Sequence, residues 1–328
     1  MMNKRILSLV VIAILTITSL TCFASAEEKD IVIGVAPKMI GAPYWDYANE
    51  GCIAAGEALG ITINLQASTT ASAQEQASII DNFITLGVDA IVVAANDEST
   101  LLPALNRASE AGIPIITYDS DVPDSQRLYC VASCGQVELG EMMATELVEI
   151  MGEEGEVAFM TGSLSAFNHN QILEGYRNIL GGYEDITEVA TVESGDDQQQ
   201  AFINAENLLA SYPNLKGILC VAAGETPSAA EAVMQAGLGG QVKIVGVATP
   251  NSVKEYYEAG VLESTMLWDP AAMGFIAVKL AYDYINGVQP EDGQVLYEGS
   301  NPVTIDDKGN VFIGTTIFNN DNIWDFDF

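Results

Sequence analysis

Pro114–Pro123 reads PIITYDSDVP. Apolar and β-branched residues run straight into an acidic turn, Asp119-Ser120-Asp121. The run has the length and composition of a buried strand. Its end on a carboxylate leaves two assignments open for Asp119: a cap on the turn towards Asp121 or Val122, or an acid aimed at a ligand. Asp119 follows Tyr118, and strand alternation sends neighbouring side chains to opposite faces.

The same pattern repeats outward from this stretch. Short runs precede it at 31–36 (IVIGVA), 61–66 (ITINLQ) and 90–95 (AIVVAA), and 127–132 (RLYCVA) follows it. Further runs lie at 156–162 (EVAFMTG), 216–222 (KGILCVA), 242–248 (VKIVGVA) and 262–268 (LESTMLW). Between most of them lie roughly 12 to 20 residues with helical periodicity. In SAQEQASIIDNFITLG, Ala77, Ile80, Ile84 and Leu86 line one face, and Gly87 stops the helix. Continuous apolar strands joined by helices predict parallel sheets covered on both faces. The unit recurs about every 25 to 30 residues, through residue 126 and again from about residue 133, as in two successive doubly wound α/β lobes.

The chain has 328 residues, 49% of them apolar, which suits two domains. Lys4 and Arg5, the apolar run Ile6–Leu20 and the small residues Ala24-Ser25-Ala26 predict a signal peptide over residues 1–26, cleaved before Glu27. A membrane anchor is disfavoured, because a span needs about 20 apolar residues. A lipidated Cys22 is the third reading, although Ser19-Leu20-Thr21 fits a lipobox poorly. The mature protein is expected outside the cytoplasm, periplasmic or extracellular, free or lipid-anchored. Twelve basic residues against 45 acidic ones make nucleic acid a poor partner. Cys52, Cys130, Cys134 and Cys220 read as buried free thiols. In an extended chain, the Cα atoms of Cys130 and Cys134 would stand about 13 Å apart, too far for a disulfide, and only a turn after Ala132 would close the gap. No metal is expected, since there is no C-x-x-C and His169 is the only histidine.

Open parallel sheets bind ligands beyond the carboxyl ends of their strands. Those ends bring Lys38, Asn96-Asp97 and Asp119 from the first half, and Asn168-His169-Asn170, Ala223-Gly224-Glu225 and Thr249-Pro250-Asn251 from the second. Lys38 is either a surface lysine or the cleft's cation. Tyr44 and Trp45 are core aromatics or a face for the C–H side of a sugar. Asn168 is a plain helix cap or a ligand donor with His169 and Asn170. Trp268, before Asp269-Pro270, is packing or cleft wall. Catalytic machinery is not legible: there is no G-x-S-x-G, and the first strand leads into GVAPKMIGAP rather than a nucleotide-binding glycine loop. Asp119 and Glu225 remain open as a glycosidase pair. No cofactor is expected.

Five stretches carry a family resemblance: APKMIGAPYWDYANEG, VAANDESTLLPALNRASEAGIPIITYDSDV, GDDQQQAFINAENLLASYPNLKGI, VGVATPNSVKEYYEAGVLESTMLWDPAAMG and IFNNDNI. From about residue 31 to 325 the chain resembles the periplasmic-binding-protein type 1 family. It is most similar to the autoinducer-2-binding and rhamnose-binding subgroup of the sugar-binding proteins of ABC importers. The resemblance implies Lys38 and Asp119 as ligand contacts and an aromatic wall from Tyr44 and Trp45. Where autoinducer-2 binders carry an acidic residue followed by glutamine, this chain has Asn168-His169, and the N-x-N arrangement of Asn168 and Asn170 is closer to the rhamnose-type members. Ala222 and Ala223 stand where the family supplies an alanine and a proline. The resemblance also implies a three-segment hinge crossing near Ala132-Ser133, Leu267-Trp268 and about Pro302. The lobes would then be residues 27–132 plus 268–301 and residues 133–267 plus 302–328. The implied function is capture of a small neutral sugar, a deoxyhexose such as rhamnose or another monosaccharide, by a monomer that delivers it to a membrane permease. Autoinducer-2 reception in quorum sensing is the alternative. A transcription regulator of related fold would carry a helix-turn-helix where this chain has its apolar leader.

Overall fold

A computed structural model describes residues 30–328. The expected signal peptide and Cys22 lie outside the described residues. Strands β1 (Val32–Ala36), β2 (Thr62–Leu65), β3 (Ala90–Val93), β4 (Ile115–Tyr118) and β5 (Tyr129–Ala132) form a parallel array. The second array holds β6 (Gly155–Thr161), β7 (Ile186–Glu193), β8 (Leu215–Cys220) and β9 (Lys243–Gly246) in the order β7-β6-β8-β9, also parallel. Strands β3 and β4 are buried at every residue, as expected of parallel strands covered on both faces.

The chain passes between the arrays three times. The first passage follows β5 and the second follows β10 (Thr265–Leu267). The third lies later than expected. β11 (Thr304–Ile305) and β12 (Asn310–Phe312) join the first sheet, whose order is β11-β12-β5-β4-β3-β1-β2, with β12 parallel to β5. Only then does β13 (Thr316–Phe318) pair antiparallel with β10. The expected crossing near Pro302 therefore moves past Phe312. Strands of two and three residues carry no periodicity to read. The edge strand β7 is a further difference, because ITEVATVE intersperses Ile, Val and Ala with Thr and Glu and has no continuous apolar run.

The helix read from SAQEQASIIDNFITLG spans Ala73–Leu86, capped by the Ser72 hydroxyl at one end and by left-handed Gly87 (φ 67°) at the other. Its buried face is Gln76, Ile80 and Phe83, with Ala77 and Ile84 packed alongside. Leu86 is a correction: it is 58% exposed, because the last turn rotates it off the apolar face. Cys52, Cys130 and Cys220 are buried free thiols, whereas Cys134 is only half-buried, near the Thr315 hydroxyl at 3.4 Å.

Each array rests on a close helix pair. Helix Pro43–Leu59 meets helix Pro270–Ile285, where a Cβ on Gly51 would lie 2.0 Å from Ala271 O. Helix Gln136–Met151 meets helix Phe167–Leu180, where a Cβ on Gly140 would lie 2.2 Å from Ile172 O. Only glycine permits these approaches. Two of the four helices, Pro43–Leu59 and Phe167–Leu180, begin with Tyr44-Trp45 and Asn168-His169, so the contacts fix where those side chains point.

Candidate functional site

Asp119 takes its direction from the backbone rather than from strand alternation. β4 ends at Tyr118, and Asp119 adopts a left-handed conformation (φ 61°) that is uncommon outside glycine. Its N–H donates to Val131 O at 2.9 Å, and Ala95 N–H donates to Ser120 O at 3.1 Å. The turn is thus sewn to both neighbouring chain segments. The capping role falls to Asp121, whose Oδ1 accepts from the Thr117 hydroxyl (2.6 Å) and Val122 N–H (2.8 Å) and whose carboxylate pairs with Arg127 (2.7 Å). Asp119 is left to face a cavity.

Three groups converge on it. Tyr44 donates its hydroxyl to Asp119 Oδ2 at 2.7 Å, and Trp268 Nε1–H donates to that same hydroxyl at 2.9 Å. Burial, and then the neighbouring carboxylate, push the Tyr44 phenol well above its ordinary range, so it remains a donor. Lys38 Nζ stands 3.5 Å from Asp119 Oδ1, with both side chains buried, and 6.0 Å from the Trp45 ring centroid. Asn168 Nδ2 reaches Asp119 Oδ1 from the second lobe at 3.3 Å. The Tyr44 bond is short, and the Lys38 and Asn168 contacts are long. Tyr44, Trp45 and Trp268 form an edge-to-face aromatic group, with centroids 4.9 Å and 5.9 Å from that of Tyr44.

The second lobe supplies a less charged wall. His169 is buried, and its Nδ1 accepts the Ser163 backbone N–H at 3.0 Å. A backbone N–H can only donate, so the ring proton sits on Nε2. Burial, and then the Lys38 ammonium, hold His169 well below its ordinary pKa, so the ring is neutral. Glu225 accepts from Ser194 Oγ at 2.8 Å and from Ala222 N–H at 3.0 Å. Burial pushes its carboxyl up to about 8, against the pull of those bonds.

Lys38, Tyr44, Trp45, Asp119, Asn168, His169, Ala222, Ala223 and Trp268 line one cavity of about 70 Å3. At roughly 10–15 Å3 per water, this is space for about five to seven waters, the scale of a small ligand. Asn170 is the exception among the expected site residues. It is exposed, and its Nδ2 donates to Leu164 O at 2.9 Å. One helical residue past His169 turns it away from the cavity.

Sequence reading missed Asp196 and Gln198, which enter from the turn and helix after β7. A second left-handed non-glycine (φ 57°) directs Asp196, and burial raises its pKa. It also missed Gln76, whose Nε2 reaches Ala36 O, Pro37 O and Ala94 O (3.1, 3.1 and 2.7 Å) and so ties the ends of β1 and β3 together. A glutamine on the apolar face of Ala73–Leu86 was the available signal.

Two parallel α/β lobes with a polar and aromatic cavity between their strand ends define a two-lobed binding protein. The family model described as periplasmic binding protein domain matches residues 33–289, and the chain belongs to that family. It is 24% identical over 264 residues to the ribose import binding protein RbsB of Bacillus subtilis, covering 80% of this chain and 84% of that one. The D-allose-binding periplasmic protein of Escherichia coli is likewise 24% identical, over 81% of this chain and 86% of its own. Among solved structures, LsrB from Clostridium saccharobutylicum in complex with AI-2 superposes with a TM-score of 0.82 at 26% identity, over 91% of this chain and all (100%) of that one. An ABC transporter solute-binding protein from Clostridium phytofermentans with bound L-rhamnose gives 0.84 at 25% identity, over 90% and 98%.

Proposed function

We propose that this protein is the extracytoplasmic solute-binding component of an ABC importer. It seats a small neutral sugar ring in the cleft between its lobes for delivery to a membrane permease. One observation carries the reading: Asp119, Lys38 and Tyr44 from one lobe face Asn168 and neutral His169 from the other, beside three aromatic rings. A carboxylate accepts from adjacent hydroxyls, an imidazole Nε2–H and amides complete the polar rim, and aromatic faces cover the C–H side of the ring. The neutral His169 and the raised Glu225 on the second wall suit an uncharged ligand. The relatives named for ribose and allose support the sugar class, and the L-rhamnose complex supports a deoxyhexose. The AI-2 complex supports autoinducer-2 as the alternative ligand. Export by the N-terminal leader, action as a monomer and a hinge of three segments complete the proposal.

The second reading is a glycoside-acting enzyme. The raised pKa of Glu225, in the same cavity as Asp119, is the observation in its favour. Both Glu225 oxygens are already engaged, by Ser194 and Ala222, which counts against it. Mass spectrometry of ligand released from gently purified protein, followed by a thermal-shift panel of pentoses, deoxyhexoses and autoinducer-2, tests the proposal. A sugar among the stabilising compounds, with no hydrolysis of chromogenic glycosides, is expected. Stabilisation by none of them, or steady turnover of a glycoside, contradicts it.

A further inference from the structure

The sugar cavity has a larger neighbour. Beyond the ends of β1, β2 and β3, and facing the loops after β6 and β7, lies a cavity of about 270 Å3. Lys38 and Asp196 line both cavities and form the partition between them. The second cavity is largely polar, with Ser72, Asn96, Asp97, Ser163 and Glu193 among its walls, Ala71 and Ala73 beside them and no aromatic ring.

Two groups on this wall stand out. Asn96 is 5% exposed and donates Nδ2–H to Lys38 O at 3.0 Å, yet its Oδ1 accepts from no group among the described residues. A buried acceptor left unsatisfied is costly, and native folds rarely keep one without a use. Asp196 is held in strained backbone at φ 57°, with Gly162 opposite, where a Cβ would lie 1.9 Å from Asp196 Oδ1. Glycine at 162 is what makes room for that carboxylate. Strain of this kind persists where it positions a functional group.

These groups are acceptors, so the occupant must bring donors. Anions are disfavoured by Asp97, Glu193 and Asp196 together. Among the described residues no group of three or more ligating side chains could hold a metal ion. Hydroxyls remain. We infer that the second cavity is a subsite for a second hydroxyl-rich unit of the same ligand, with Asp196 clasping hydroxyls at the junction, so that a disaccharide or glycoside is preferred to its single ring. This inference rests on the sugar-binding reading above.

Calorimetry on matched pairs tests it: D-xylose with xylobiose, D-glucose with maltose and cellobiose, and L-rhamnose with rutinose. At least one two-ring member is expected to bind tenfold or more tightly than its single ring. Ala71→Trp, on the wall of the second cavity only, fills that space. It is expected to return the two-ring ligand to single-ring affinity and to leave the single ring unchanged. Single rings that bind as tightly as their two-ring partners in every pair overturn the inference and leave the sugar reading standing. An Ala71→Trp variant that keeps the two-ring advantage also overturns it. Failure of every sugar to bind overturns both.

Discussion

The two walls of the cleft are built differently. The first-lobe wall is a bonded relay, in which Trp268 donates to Tyr44, Tyr44 donates to Asp119, and Lys38 lies alongside. Its members come from strand ends and a helix start that follow directly on strongly apolar runs. The second-lobe wall sets neutral groups beside further carboxylates. His169 is held neutral, Glu225 is raised to about 8, and Asp196 emerges from a strained turn after an edge strand. Under the proposed sugar reading, the first lobe offers a charged acceptor and a charged donor to ligand hydroxyls, and the second offers the neutral His169 and Glu225 beside Asp196.

The largest expected effect bears on the turn that carries the first wall. The buried Arg127–Asp121 pair also ties the turn to the chain near β12, through Arg127 Nη1 to Lys308 O at 2.9 Å. Breaking a buried pair by removing one partner costs about 3–5 kcal/mol. Asp121→Ala is expected to lower stability by that order in denaturant unfolding. A loss under about 1 kcal/mol would mean that the turn is held elsewhere.

The second wall is sharpened by pH. Glu225 has a folded-state pKa of about 8, above the ordinary value of 4.5. Between those values the folded protein keeps a proton that the unfolded chain releases. Its contribution is therefore full below the ordinary value and is lost as pH rises towards 8. Glu225→Gln removes that dependence. Its Tm relative to wild type is expected to rise by at least about 2–4 °C between pH 5.5 and 8.5. Parallel Tm curves for the two proteins would show that Glu225 does not carry the proton. His169 acts in the opposite sense: its lowered pKa removes stability as pH falls below the ordinary histidine value.

The smallest effect is expected at Asn170. Its side chain caps the Leu164 carbonyl outside the cavity. Asn170→Ala should leave ligand affinity within about threefold of wild type, less than 1 kcal/mol. A tenfold loss would restore it to the site.

How much was legible follows the same contrast. Asp119, Lys38, Tyr44 and Trp268 could be read because each adjoins an apolar strand or a Pro-marked helix start. Asn168 and His169 could be read as a cluster, but the helical rotation that excludes Asn170 depends on where the first turn begins. Asp196 and Gln198 were hidden because β7, ITEVATVE, mixes half-buried apolar residues with exposed Thr and Glu in neither a continuous apolar run nor a strict alternation. The late third crossing was hidden because β11 and β12 are held by pairing with the rest of the sheet rather than by their own composition. The left-handed turn at Asp119 was invisible as well. Strand alternation is a property of extended backbone, and it stops at Tyr118.

The central claim is that Asp119, the acid ending PIITYD, is the clasp that holds the ligand. Calorimetric titration of wild type and Asp119→Ala with the ligand identified by mass spectrometry tests it most directly. Two hydrogen bonds to a charged acceptor at about 1.5–3 kcal/mol each predict a loss of roughly 100-fold or more in affinity. Binding by Asp119→Ala within about threefold of wild type, less than 1 kcal/mol, would contradict the account.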